Sequence, residues 1–494
     1  MKDLKSRMAT GAAWLILFRV IERSIGVVST LILARLLIPA DFGLVALATS
    51  IYGALEIMSS FSFDLVLIQN QQAERRHYDT AWTFNVIFGV ANGVILVALA
   101  SPAAAFFLEP RLEAIIYFVA LAAFLDGLSN IGTVAFQKDL ELHKEVTFSL
   151  ARKLTGFVVT LILAFWLRSY WALVAGILSS TIVKVILSYW LHPYRPKLCL
   201  TASRELFHFS RWLLLNGILI FLNYRGIDFV IGKMAGPQAV GLYSVAHEIS
   251  NLPTTDLVWP IARAVFPGYS KLAGDRPALR ATFLQVVSLI ALITIPAGIG
   301  IGLVAEPLVL VMLGEKWGDA VALLQVLAIY GVVRALHNPP GSIYLALGKP
   351  RVIFNLQVLH LAIGVPLLIW LMGACGLIGA PLAILAALAV TMPTNYVWLM
   401  RELDLPFSGV AEALWRPLTA TALMCVTGIW LQWVWPSSGG LAQSFMRLMV
   451  LVIAGATVYV TAILAFWWAA RCPDGAESRL LALVKTRFGK TGPH

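Results

Sequence analysis

Arg19, Glu22 and Arg23 fall inside the first long apolar run of this 494-residue chain, between Trp14 and Gly26. Separations of three and four residues put all three on one face of a helix. An ionised side chain near a bilayer centre costs on the order of 3 kcal/mol even on lenient insertion scales. Two guanidinium groups and a carboxylate therefore persist there only where they face protein or water. Two chemistries fit: a buried structural ion pair, or a polar path through the membrane for something anionic. More polar groups interrupt the later apolar runs: Glu56 and Asp64, Asp126, and Lys184 in the first half, then Asn216, Asn223, Arg225 and Asp228, His247, Glu248, Asp256 and Arg263, and Arg334, His337 and Asn338 in the second. Arg225 and Asp228, three residues apart, are spaced to pair. Lys184 and Arg263 also fit snorkelling from the ends of their runs. Glu56 and Asp256 fit equally as partners of arginine or as carriers of a coupling proton or cation, and His360 fits a hydrogen-bonded packing residue.

The elements that position these groups follow from composition. The chain is 59% hydrophobic and 13% charged, with a mean hydropathy of +0.82; soluble proteins carry about 25% charged residues. About 14 apolar stretches are long enough to span a bilayer as helix, which takes about 20 residues each. They are continuous rather than alternating, which excludes a β-barrel. The predicted spans are 10–36, 42–67, 80–101, 113–136, 147–167 and 170–191, then 208–234, 240–267, 280–304, 319–346, 352–372 and 376–400, and finally 410–435 and 445–469. A basic, proline-containing connection from His192 to Glu205 reads as an inter-domain linker. The stretch from Glu306 to Trp317 is too short to cross and reads as an external interfacial helix. The intramembrane charges concentrate in spans one, two, seven, eight and ten. A dispersed structural network has no reason to favour those helices, whereas a cavity between two lobes does.

The net charge of +11 is a topology signal rather than a nucleic-acid footprint. With the N-terminus cytoplasmic, roughly two dozen Lys and Arg lie on the cytoplasmic side and about five on the other. The same count places the C-terminal tail from Arg471 in the cytoplasm, with Arg479 to Phe488 suited to a short surface helix. The four cysteines match no metal site or disulfide framework, and no cleavable signal peptide is expected. No phosphate-binding loop or His-Glu-x-x-His pattern occurs, and no cofactor is implied. A weak internal repeat is present: Pro39, Gly43, Leu44 and basic Arg35 match Pro237, Gly241, Leu242 and basic Lys233 at constant offset. Six helices separate the copies, so the halves share one orientation. Parallel repeats of this kind rock about an axis along the membrane normal with substrate between them.

The run Leu33-Ala-Arg-Leu-Leu-Ile-Pro-Ala-Asp-Phe-Gly-Leu44 continues as Val-Ala-Leu-Ala48. Leu67-Ile-Gln69, Phe136-Gln-Lys-Asp-Leu-Glu-Leu142, Tyr170-Trp-Ala-Leu-Val-Ala-Gly176 and Tyr194-Arg-Pro-Lys-Leu198 follow in order. This pattern resembles the polysaccharide-transporter branch of the multidrug/oligosaccharidyl-lipid/polysaccharide flippase superfamily, in particular colanic-acid-exporter-like proteins, over about 400 residues. The resemblance implies a bacterial inner-membrane protein of two six-helix bundles around a cationic central cavity. It also implies flipping of polyprenyl-diphosphate-linked oligosaccharide between leaflets, and two further helices of the kind that flank a lipid groove in lipid-II flippases.

The expected fold is therefore an all-α polytopic membrane protein: a lobe over 1–200, a pseudo-two-fold-related lobe over 201–405, two additional helices over 406–470 and a tail over 471–494. The expected activity is non-enzymatic flipping of a lipid-linked oligosaccharide by alternating access. Arginine offers a forked donor set matched to phosphate oxygens. Arg19, Arg23, Arg225 and Arg334 are the candidate diphosphate ligands. Glu22, Glu56, Asp228, Glu248 and Asp256 are candidate charge partners or ion-coupling groups. Asn216, Asn223, Tyr224 and Trp259 are available for sugar. Partners are the lipid-linked oligosaccharide, membrane lipids and a polysaccharide polymerase or chain-length regulator, and not nucleic acid. The rivals are a cation-coupled multidrug exporter of the same fold, a lipid-II flippase, a membrane-embedded glycosyltransferase or polymerase, and a scaffold. An acidic cavity would favour the exporter, and a large loop with paired carboxylates the enzyme; the longest connections are about 15 residues.

Overall fold

Inside a bilayer every backbone N–H and C=O must be paired within the protein, so long apolar runs become helices. The computed structural model describes residues 2–59, 63–70, 72–139, 141–435, 440–471 and 478, and every regular element among them is helical. The 479–488 surface helix lies outside the described residues. Nine helical stretches among them are long and apolar enough to cross a membrane, ten with one bent pair. One of the nine, Pro350–Leu403, holds two helices divided near Gly376. The first helix and the pair spanning 203–272 are not among them. The chain divides into two compact units, Met1–Ser244 and Val245–His494.

The first unit contains α1 (Lys2–Leu36), α2 (Pro39–Ser59), α3 (Phe63–Gln69), α4 (Arg75–Phe107), α5 (Arg111–Gly127), α6 (Val134–Lys138), α7 (Leu142–Leu167), α8 (Trp171–Leu191) and most of α9 (Ser203–Asn251). Two predicted spans are not straight. The second is divided into α2 and α3. The fourth stops at Gly127 and turns by 66° into the segment Ile131–Lys138. Asn130 makes that turn: its side chain accepts the Gly132 N–H at 2.9 Å, and its own N–H donates to Ser188 Oγ at 2.9 Å. A short polar side chain thus offers the backbone an alternative to continuing the helix. α4 and α5 cross at Gly89 and Gly127, where a Cβ on Gly89 would stand 2.8 Å from the Gly127 Cα. Small residues at such a crossing let backbones approach without a side chain between them.

The repeated turns meet each other. A Cβ on Gly43 would overlap the Pro237 carbonyl and lie 2.9 Å from the Gly241 nitrogen. A Cβ on Gly241 would overlap the Pro39 carbonyl and lie 3.0 Å from the Gly43 nitrogen. The tight turn expected at the second copy is a kink inside α9, where Gly236 takes φ 79° and ψ 179°, a conformation open almost only to glycine.

The connection from α8 to α9 is a fixed strap. Residues 192–200 run without helix or turn beside the start of α4. Lys197 N donates to Asp79 Oδ1 at 2.9 Å, Cys199 N to Thr83 Oγ1 at 2.9 Å and Ala202 N to Thr80 Oγ1 at 3.3 Å. Tyr194 Oη donates to Asp79, and Asn130 Nδ2 donates to the Tyr194 carbonyl at 2.7 Å. Pro193 and Pro196 have no N–H to satisfy.

In the second unit α10 (Thr255–Leu272), α11 (Arg276–Leu303), α12 (Ala305–Met312), α13 (Ala320–His337), α14 (Pro339–Ala346), α15 (Pro350–Cys375) and α16 (Gly379–Leu403) are followed by α17 (Phe407–Val434) and α18 (Leu441–Ala469). Its core includes Tyr269, Phe283, Tyr344 and Tyr396. Two of its buried hydroxyls are paired, Tyr344 with the Asn395 carbonyl at 2.8 Å and Tyr396 with the Leu336 carbonyl at 2.8 Å, whereas that of Tyr269 has no hydrogen-bond partner among the described residues. Over 306–317, the segment expected to be an interfacial helix, the chain forms α12 and a short turn; Trp317 is fully buried, and Arg447 of α18 reaches Glu306 at 3.3 Å.

Candidate functional site

In the first unit a cavity of about 270 Å³ lies among α2, α3, α4, α5 and α8. Its polar wall comprises Tyr52 and Glu56 of α2, Asp64 of α3, Asn85 and Asn92 of α4, Asp126 of α5 and Lys184 of α8. Residues beyond the 66° bend after Gly127, among them Ser129, Asn130 and Thr133, also line it. Lys184 Nζ donates to Asp126 Oδ1 at 2.6 Å. Sequence reasoning singled out Glu56, Asp64, Asp126 and Lys184 one by one and missed that they share a chamber. The usable signal was Asn85 and Asn92, two helical turns apart on one face of α4.

Arg225 and Asp228 are together. Arg225 Nη1 stands 3.5 Å from Asp228 Oδ2, and Ser50 Oγ of α2 donates to the same oxygen at 2.8 Å. The Asp228 side chain is 5% exposed and that of Arg225 56%. A buried carboxylate with two donors thus anchors a guanidinium that is free to project outward. On α1, Arg19 is exposed while Glu22 and Arg23 are partly covered. Asn223 of α9 turns back on its own helix, donating to the Leu219 carbonyl at 2.8 Å, and Tyr224 beside it is exposed.

The second unit gathers a separate set. The guanidinium of Arg334 lies over the Tyr330 ring at 5.9 Å, and the His247 ring lies 6.4 Å from the same tyrosine. Glu248 is partly covered. His360 Nδ1 is 3.4 Å from Thr391 Oγ1, and Asn395 Nδ2 donates to the His337 carbonyl at 3.0 Å. The side chains of Asn216, Asp256, Trp259 and Arg263 lie outside the described residues.

At the strap the electrostatics are those of a closed clasp. Burial and the bond to Asp79 push the Tyr194 phenol up, which keeps it a donor. The hydrogen bond from His77 holds the Glu205 carboxyl below the usual carboxylate range. Burial, then the charge of Lys144, push His192 down.

A family model described as "Polysaccharide biosynthesis protein" matches residues 32–322. The lipopolysaccharide biosynthesis protein WzxC of Escherichia coli (strain K12) is 26% identical over 420 residues, covering 84% of this chain and 85% of the relative. The teichuronic acid biosynthesis protein TuaB of Bacillus subtilis (strain 168) is 28% identical over 416 residues, covering 82% and 84%. Among solved structures, the lipid II flippase MurJ in an inward closed conformation has a TM-score of 0.73 at 12% identity, covering 92% of this chain and 99% of that one. An inward-facing multidrug resistance MATE family transporter of the MOP superfamily has a TM-score of 0.61 at 14% identity, covering 78% and 98%. These two likenesses show the fold, an all-α, multi-pass one. The family match takes in more than half of the sequence, and the chain belongs to the polysaccharide biosynthesis protein family.

Proposed function

We propose that this protein flips polyprenyl-diphosphate-linked oligosaccharide repeat units from the cytoplasmic to the periplasmic leaflet of a bacterial inner membrane, by alternating access, for surface polysaccharide synthesis. Both termini are cytoplasmic in this proposal, and the lobes that rock are 1–200 and 201–405. One observation carries it: in a chain of a polysaccharide biosynthesis family, Arg225 projects a half-exposed guanidinium from α9, whose first part the sequence reads as a membrane span, anchored by buried Asp228 and Ser50. A charge at that depth faces water or protein rather than lipid. Its forked donors suit a diphosphate, which must exchange its hydration for protein donors to cross. Arg19, Arg23 and Arg334 are assigned the same role. Glu22, Glu56, Asp228, Glu248 and Asp256 are assigned as charge partners or ion-coupling groups. A polysaccharide polymerase or chain-length regulator is the proposed protein partner.

The test is leaflet exposure of a labelled polyprenyl-diphosphate oligosaccharide in proteoliposomes. Wild-type protein is expected to flip it, and folded Arg23→Ala and Arg225→Gln variants at least about tenfold more slowly, one lost charge-assisted contact being worth that much. Flipping at wild-type rate by both variants would refute the diphosphate role. Cationic-drug uptake without flipping would replace the proposal with the exporter.

A further inference from the structure

The stretch from Ala320 to Ala346 runs as one span, yet its hydrogen bonding is broken between α13 and α14. Asn338, where one helix gives way to the other, keeps helical dihedrals of φ −73° and ψ −38°. Pro339 and Pro340 follow, and a proline has no N–H to return to the carbonyl four residues back. The Leu336 carbonyl therefore lacks a helical donor. The His337 carbonyl loses its own as well, because Gly341 N donates to the Asn338 carbonyl at 3.1 Å. Orphaned carbonyls inside a membrane span must find donors on neighbouring helices. α16 supplies them from two consecutive residues. Tyr396 Oη donates to the Leu336 carbonyl at 2.8 Å, and Asn395 Nδ2 to that of His337 at 3.0 Å. α14 answers across the break, Tyr344 Oη donating to the Asn395 carbonyl at 2.8 Å. Tyr344, Asn395 and Tyr396 are all buried. Asn395 Oδ1 is buried too, with no hydrogen-bond partner among the described residues. An apolar side chain would pack there at lower cost, so what the amide adds is its donor. The turn that these bonds hold carries Arg334, whose guanidinium lies over Tyr330, one turn back, at 5.9 Å.

From this geometry we infer that Asn395 and Tyr396 are positioning residues for Arg334. They take the place of the backbone bonds that Pro339 and Pro340 remove, and so clamp the last turn of α13 from outside its own helix. Without them that turn is free to unwind, and the guanidinium at its start loses its direction. The clamp stands on hydrogen bonding alone; the positioning role rests on the proposal that Arg334 binds diphosphate.

Two measurements on the full-length protein in detergent separate these claims. Hydrogen exchange over α14 and the last turn of α13 reads the clamp. Tyr396→Phe removes one hydroxyl and leaves the Leu336 carbonyl buried without its donor, so exchange should quicken about threefold to tenfold. Pro340→Ala returns an N–H within reach of that carbonyl, because Asn338 is already helical. In that background Tyr396→Phe should change exchange by less than about twofold. Should Pro340→Ala fail to fold, Asn395→Leu, which frees the His337 carbonyl, should quicken exchange as Tyr396→Phe does. Unchanged exchange in Tyr396→Phe, or an equal increase in both backgrounds, overturns the clamp. Binding of geranyl diphosphate reads the positioning. Arg334→Gln should bind this probe about tenfold more weakly than wild type, and Tyr396→Phe at least about threefold more weakly. The double variant should bind no more weakly than Arg334→Gln alone. Wild-type affinity in Tyr396→Phe, or a loss that adds in full to that of Arg334→Gln, overturns the positioning role. Unaltered binding by Arg334→Gln, or no binding by any form, overturns the diphosphate reading and the positioning with it, while the exchange result still decides the clamp.

Discussion

Removing Asp79 should release the strap, and the size of the effect follows from its partners. Asp79 is 7% exposed and accepts from Tyr194 Oη and from Lys197 N at 2.9 Å. A hydrogen bond to a charged group contributes about 1.5–3 kcal/mol net. Arg75 lies 3.6 Å away but is 60% exposed, so that pair adds little. Two bonds at the low end give about 3 kcal/mol, which multiplies the population of the open strap about 150-fold. Trypsin reads this directly. Arg195 precedes Pro196 and resists cleavage, whereas Lys197 precedes Leu198, which is 75% exposed. Cleavage at Lys197 requires the strap to leave α4, and its rate follows the open population when reclosing is fast. Asp79→Ala should therefore raise the appearance of the fragment beginning at Leu198 by about two orders of magnitude. Asp79→Asn, which keeps a neutral acceptor, should raise it about tenfold. A rate in Asp79→Ala within about threefold of wild type, in protein with unchanged helix content, would refute the view that this carboxylate holds the strap.

Gly43→Ala should lower the thermal midpoint by the equivalent of about 1–3 kcal/mol of overpacking, while Gly26→Ala, with nothing within 4 Å of the added methyl, should be neutral or slightly stabilising. Arg225→Gln should slow flipping while leaving the midpoint nearly unchanged, because Ser50 still donates to Asp228; Asp228→Ala, which strips Arg225 and Ser50 of their acceptor, should lower both. His77 Nδ1 accepts from Glu74 N at 3.0 Å and its Nε2 lies 3.0 Å from Glu205, an arrangement that a neutral ring with its proton on Nε2 satisfies. Since the Glu205 carboxyl is held below its unfolded value of about 4.3, the contact stabilises above that pH and is lost as pH falls through the lower folded value. Hydrogen exchange in the first turn of α9, corrected for intrinsic rates, should quicken on acidification, and Glu205→Gln should remove that dependence.

Helix identity was legible because a bilayer leaves a chain of twenty apolar residues almost no alternative. Where helices break was less so, since hydropathy sums are blind to direction: α2 and α3 read as one run. The bend after α5 did leave a mark in Gly127, Ser129, Asn130 and Gly132, residues that favour leaving a helix. Pairing within one helix could be read from spacing, as for Arg225 and Asp228. The chamber could not, because Asp64, Asp126 and Lys184 meet only through the packing order of α3, α5 and α8. That the chain leaves helix after α8 was recognisable from Pro193 and Pro196. The rigidity of the strap was hidden because the groups that hold it, Asp79, Thr80 and Thr83, lie more than a hundred residues upstream, at the start of a helix where polar side chains excite no notice.

The two copies of the proline–glycine turn touch in the manner of an isologous contact, each presenting to the other the patch it receives. Gly43 faces the Pro237 carbonyl and Gly241 faces that of Pro39. A reciprocal contact of this kind cannot be relieved from one side. A methyl added to either glycine presses on the other copy, and trimming the facing side chain gives no room because the obstacle is backbone. The two positions are therefore constrained as one unit although 198 residues separate them in the sequence.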